Sequence, residues 1–126
     1  MRVVETDRAP KPVGPYSQGI LYGNLIFVSG QLGIEPESGE LLKDFKEQAL
    51  RALENLKAVV EAAGGSRCSI VSVRVYLTDI NRFKEFNEVY SEFFKSCPVK
   101  PTRAAVGVKE LPLGAQVEVE CVAVKG

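Results

Sequence analysis

Arg103 sits in the run Pro101-Thr102-Arg103-Ala104-Ala105-Val106, with no acidic residue within five positions on either side. Its guanidinium is a permanently charged planar fork that can grip a carboxylate through two parallel hydrogen bonds. At the mouth of a strand such a fork is either an ordinary surface charge or a receptor for a small organic acid. A second candidate lies in Val117-Glu118-Val119-Glu120-Cys121. Strand alternation puts Glu118 and Glu120 on one face and Val117, Val119 and Cys121 on the other. Two carboxylates there mark either the exposed side of an edge strand or a polar pocket at a subunit boundary. In a partly dry pocket, burial raises a carboxylate's pKa and lets it hold or deprotonate a water. Gly14-Pro15-Tyr16-Ser17-Gln18-Gly19 adds a phenol, a hydroxyl and an amide in a rigid turn. Val28-Ser29-Gly30-Gln31 ends a strand with a hydroxyl and a glycine whose N–H can approach a ligand closely. By residue type alone, both segments also suit plain loop and strand-end roles. Asn87, next to Phe86, reads equally as a surface or helix-packing amide.

The elements that must position these groups are legible in the pattern. Ile20-Leu21-Tyr22 and Leu25-Ile26-Phe27-Val28 flank Gly23-Asn24 and predict a β-hairpin. From about Asp44 to Ala63, Ala49, Leu53, Leu56, Val60 and Ala63 form one apolar stripe of a helix. Asp44 with Glu47 gives its N-cap and Gly64-Gly65 its stop. Glu47, Arg51, Glu54, Lys57 and Glu61 form its solvated face. Ile70 to Leu77 alternates as a strand. A second helix, about Asn81 to Lys95, carries an aromatic stripe of Phe83, Phe86, Val89, Tyr90, Phe93 and Phe94, which reads as core packing. Strands are predicted at Ala104 to Lys109 and Gln116 to Val124. The order β-β-α-β-α-β-β favours an α+β fold with one sheet and two helices packed on a single face. The sheet's other face, with β-runs this apolar, is expected to be buried in an oligomer.

Composition narrows the partners. The 126 residues suit a single domain spanning residues 1–126. Sixteen basic residues balance sixteen acidic ones, so no net field draws nucleic acid or an anionic membrane. No apolar stretch approaches the roughly 20 residues of a membrane span, and the N-terminus lacks a signal-peptide centre. A cytoplasmic protein is expected. Cys68, Cys97 and Cys121 are odd in number and form no C-x-x-C pair, so reduced thiols are expected rather than a disulfide or metal cluster. Histidine is absent, which removes Ser-His and Cys-His nucleophile pairs and imidazole metal sites.

In one order and at this length, these segments resemble the Rid family, the YjgF-type reactive-intermediate deaminases of the endoribonuclease L-PSP superfamily. The resemblance runs through Gly14–Gly19, Gly23–Gln31, Gly39-Glu40 and the helix end Glu61-Ala62-Ala63-Gly64. It continues through Val75-Tyr76-Leu77-Thr78-Asp79, Asn87–Phe94, Pro101-Thr102-Arg103 and Val117–Val124. It implies a chorismate-mutase-like α+β fold with a mixed β-sheet, assembled as a homotrimer with clefts between subunits. It also implies hydrolysis of 2-imino or enamine acids, such as 2-iminobutanoate and 2-iminopropanoate, to 2-keto acids and ammonia. By the same resemblance Arg103 binds the substrate carboxylate and Glu118 orients the attacking water, while Glu120 does not match that position. Tyr16, Ser29, Gly30 and Asn87 match cleft-lining positions. Ala105 stands where many deaminating members carry cysteine, threonine or serine, which alters pocket shape more than reaction type.

The residues suit that chemistry in their own right. A protonated imine carbon is already electrophilic, so neither a nucleophilic side chain, a metal nor a cofactor is required. The site must hold a carboxylate, orient one water and pass a proton to ammonia, and orientation alone is worth several kcal/mol. Two other functions share these residues. One is a small-acid binding or regulatory module without turnover. The other, ribonuclease activity or translation inhibition, is opposed by the balanced charge and the lack of a basic stripe.

Overall fold

The computed structural model describes residues 1–126. A six-stranded sheet carries two helices. Its strands are β1 (Arg2–Val4), β2 (Gly19–Tyr22), β3 (Leu25–Leu32), β4 (Ile70–Leu77), β5 (Thr102–Gly107) and β6 (Val117–Val124). They lie in the order β1-β2-β3-β6-β4-β5. All neighbours are antiparallel except β4 and β5, so the sheet is mixed. The hairpin expected around Gly23-Asn24 is β2–β3, paired from Gly19↔Val28 to Tyr22↔Leu25.

Helix α1 (Phe45–Ala62) starts where Asp44 Oδ2 accepts the N–H of Glu47 at 3.1 Å. Its stripe of Ala49, Ala52, Leu53, Leu56, Val59 and Val60 is buried against the sheet. Helix α2 (Phe83–Phe94) buries Phe86, Tyr90, Phe93 and Phe94 in the same core, with aromatic centroids 4.8–5.7 Å apart. Both helices cover one face, met by Val73, Val75 and Leu77 of β4 and Val117, Val119 and Cys121 of β6. The opposite face carries no helix and presents Leu25 and Phe27, 41% and 44% exposed.

Three expectations shift. The predicted strand over 104–109 runs over Thr102–Gly107, because parallel pairing with β4 begins at Ser72↔Thr102. Arg103 is therefore inside the strand. The second helix begins at Phe83, after a short 3-10 turn at Ile80–Arg82 in which Asp79 accepts the N–H of Asn81. The cysteines are the substantive correction. Cys68 and Cys97 form a disulfide, and only Cys121 is a free, buried thiol. The fold brings the approach to β4 beside the segment after α2, across 29 residues of chain, a proximity no local spacing announces. No helix is long and apolar enough to cross a membrane.

Candidate active site

Arg103 and Ala105 register with Val73 and Val75, both fully buried beneath the helices, so these two side chains point to the helical face. There the Arg103 guanidinium lies 4.7 Å from the Tyr90 ring centroid and 5.0 Å from that of Phe83. Its Nη1 donates to Asn87 Oδ1 at 2.6 Å. Phe83, Asn87 and Tyr90 follow one another at four and three residues on α2, a spacing that stacks them on one helix face. The cradle is neutral throughout, and none of the chain's ion pairs involves Arg103. The charge is held in place without being cancelled. Burial pushes the Tyr90 phenol up to about 12, so it stays uncharged beneath the guanidinium.

Glu118 registers with Tyr76, three residues from Val73 on β4, and so points to the helix-free face. Arg103 and Glu118 of one chain thus stand on opposite sides of the sheet. Glu120 shares the face with Glu118 but is already engaged, accepting from Tyr76 Oη and from Arg74 Nη2, the latter at 3.0 Å. Burial pushes its pKa up, yet the hydrogen bonds from Tyr76 and Arg74 outweigh that and hold it below the usual carboxylate value. Glu118 has no such partner. Burial, reinforced by the negative charge of Glu120, raises its pKa. Two adjacent same-face carboxylates therefore differ: Glu120 is held as an anion by its partners, while the charged form of Glu118 is unpartnered and disfavoured by burial.

Glu118 and Gly30 lie in a cleft of about 930 Å³ that is also lined by Tyr16, Gln31 and Leu32. Glycine here leaves the carboxylate its place, since a Cβ would lie 2.7 Å from Glu118 Oε2 and push it aside. A break in the β3–β6 register between Val28 and Gln31 sets Ser29 and Gly30 at this point. Ser29 Oγ donates to the Ser17 carbonyl at 2.6 Å and its N–H to the Gln18 carbonyl at 2.9 Å, tying the strand end to the loop that carries Tyr16. Tyr16 is 50% exposed, its hydroxyl accepting a long 3.5 Å bond from the Val13 N–H.

The seven expected site residues therefore form two groups: Arg103, Asn87 and Ala105 on the helical side, and Glu118, Gly30, Tyr16 and Ser29 around the cleft. Their supports carry weaker sequence signals. Gln18 is 2% exposed and staples the segment between β1 and β2: its Oε1 accepts from the Thr6 N–H while its Nε2 donates to the carbonyls of Thr6, Ala9 and Pro10. Only its place in the Tyr16 segment hinted at this. The aromatic stripe by itself signals only core; the spacing of Phe83, Asn87 and Tyr90 on one helix face is the signal that marks the ring cradle. No group of three or more His, Cys, Asp or Glu side chains is arranged to hold a metal ion.

The family model for Endoribonuclease L-PSP matches residues 6–125. A RutC family protein of Aquifex aeolicus is 54% identical over 125 residues, covering 99% of this chain and all of the relative. TdcF of Escherichia coli K12, provisionally named a reactive intermediate deaminase, is 43% identical over 98% of this chain and 97% of its own. A crystal structure of E. coli TdcF with bound serine superposes with a TM-score of 0.96, at 42% identity and full coverage of both chains. That of the E. coli YjgF gene product does so with a TM-score of 0.96, at 38% identity over the whole of both.

Proposed function

The chain belongs to the Rid/YjgF family of the endoribonuclease L-PSP superfamily, and from that premise we propose that it hydrolyses small 2-imino acids, such as 2-iminobutanoate and 2-iminopropanoate, to 2-keto acids and ammonia. The observation that carries this is a pair of uncommitted charges. Arg103 is aimed by neutral groups and has no acid partner. Glu118 has no basic or hydrogen-bonding partner and a raised pKa.

An incoming carboxylate satisfies the Arg103 fork. Glu118 takes a proton from water as the oxygen bonds to C2 of the imine. The resulting carbinolamine receives that proton on nitrogen; as the C–N bond breaks, Glu118 takes the hydroxyl proton, the C=O of a 2-keto acid forms, and the departing ammonia carries that proton away as ammonium. One water is consumed and no redox partner is needed. Asn87 orients the guanidinium, Ala105 shapes the wall two residues along the same face, and Tyr16 and the Gly30 backbone line the approach. Ser29 fixes the loop bearing Tyr16.

One chain cannot present Arg103 and Glu118 to the same substrate, because they face opposite sides of its sheet. A closed ring of copies can, with the β5 edge of one subunit meeting the cleft of the next. A homotrimer with sites between subunits is the arrangement proposed, and the helix-free face bearing Leu25 and Phe27 is the apolar surface such an assembly would cover.

The test is ammonia release from 2-iminobutanoate generated enzymatically in the assay. Added protein should accelerate it, and Arg103→Ala should abolish the acceleration. Saturable binding of 2-ketobutanoate with no effect on hydrolysis would replace the enzyme with a binding module.

A further inference from the structure

Leu113 occupies a backbone position that leucine ordinarily avoids. Its φ and ψ are 60° and 17°, in the left-handed region. Gly114 follows at φ 71°, and the Ala115 N–H donates to the Pro112 carbonyl at 3.1 Å. Both φ values and this hydrogen bond match a type I′ turn, whose two central positions favour Asn, Asp or Gly. Leu113 is also 70% exposed, so it gains little from burial in its own chain. Non-glycine residues held in this region cost free energy and cluster at active sites and ligand clamps.

The position of Leu113 indicates the use. Its turn joins β5, which carries Arg103, to β6, whose second residue is Glu118. Leu113 borders the same cleft as Glu118, together with Val13, Leu32 and Ile34. A substrate whose C2 meets a water held by Glu118 has this cleft beside it to receive its C2 substituent. We propose that Leu113 is a specificity-determining residue: with Leu32 and Ile34 it forms an apolar subsite through which, among the 2-imino acids admitted, those with branched or extended aliphatic side chains bind more tightly than 2-iminopropanoate and 2-iminobutanoate. This rests on the deaminase reading above and adds to it which side chains the cleft admits. The turn gives Leu113 a fixed direction, so its contact with a substrate costs little ordering.

The experiment reads binding of 2-keto acids, so it does not require turnover. Affinities of the whole protein for pyruvate, 2-oxobutanoate and 4-methyl-2-oxopentanoate are measured by calorimetry in wild type, Leu113→Ala and Leu113→Gly. Wild type should bind more tightly by about fourfold for each added methylene that becomes buried. Both variants should lose at least fivefold for 4-methyl-2-oxopentanoate while staying within twofold for pyruvate. Leu113→Gly suits the turn and should melt no lower than wild type, so its loss cannot be a folding defect. An unchanged long-to-short affinity ratio, a parallel loss for all three acids, or no gain with chain length in wild type would overturn the proposal. Ammonia release is scored separately: its absence sinks the deaminase reading while the affinity ratio still decides the role of Leu113.

Discussion

Gly30 and Glu118 are matched so closely that the strand end leaves no room for a methyl group beneath the carboxylate, with 2.7 Å to Oε2 and 2.9 Å to Cδ from a Cβ on Gly30. The obstructed atoms are the end of a side chain, so Gly30→Ala should displace Glu118 rather than unfold the sheet. Deaminase kcat is expected to fall by roughly 100-fold, the usual contribution of a positioned general base. Melting should shift by only a few degrees. Full activity in a normally folded Gly30→Ala variant would show that the carboxylate's position does not matter.

Opposed placement of Arg103 and Glu118 makes a stronger demand. Arg103→Ala and Glu118→Gln should each be inactive alone. Unfolded together in equal amounts and refolded, they should recover about one quarter of wild-type activity, because one site in four in a randomly mixed ring draws its intact Arg103 and intact Glu118 from different copies. No recovery in verified mixed oligomers would mean that the two residues do not meet across a subunit boundary.

Glu118 should trade stability for function. Its folded pKa lies above the unfolded value, so its contribution to stability is complete below the ordinary carboxylate range and is lost as pH rises through the raised value. At about pH 7 the charged form is a burden, and Glu118→Gln should raise Tm while abolishing turnover. The Tm gain should vanish towards about pH 4, where the wild-type carboxyl is protonated. Glu120 has the opposite sign. Its folded pKa is lowered, its contribution is present above the ordinary range, and Glu120→Gln should lower Tm at about pH 7. Equal Tm changes for the two variants would contradict this division.

The Cys68–Cys97 disulfide closes 29 residues of separation, worth about 3–4 kcal/mol in the chain-entropy view. Cys97→Ser should lower Tm by roughly 10 °C or more. Thiol titration gives an independent check: without reductant, none should react in the native protein, one after unfolding, and three after unfolding with reductant. Cys121 is silent in the native state because burial, with Glu120 nearby, pushes its pKa up to about 12. Three reactive thiols in unfolded, unreduced protein would rule the disulfide out.

What the sequence disclosed follows from the range of each signal. Periodicity is local, so the α1 stripe, the alternation of β4 and the hairpin at Gly23-Asn24 were legible to within a residue or two. Arg103 stood out because its neighbours carry no acid, and Glu118 because it interrupts an apolar strand. Pairing across the chain was not legible. Nothing near Cys68 points to Cys97, and nothing near Arg103 shows that Val73 sets its face. Glu118 and Glu120 look equivalent in an alternating strand. Only the arrival of Arg74 and Tyr76 from β4 distinguishes them.

Strand β6 lies between β3 and β4, although it follows every other strand in the chain. Before it arrives, β1–β3 and β4–β5 are two half-sheets with no shared ladder, each exposing an open edge. Such edges invite pairing with other chains. During synthesis the sheet therefore cannot close until residues 117–124 have cleared the ribosome. A chain cut short of Val117 would be left with two unjoined half-sheets whose open edges invite aggregation rather than with a smaller version of the fold.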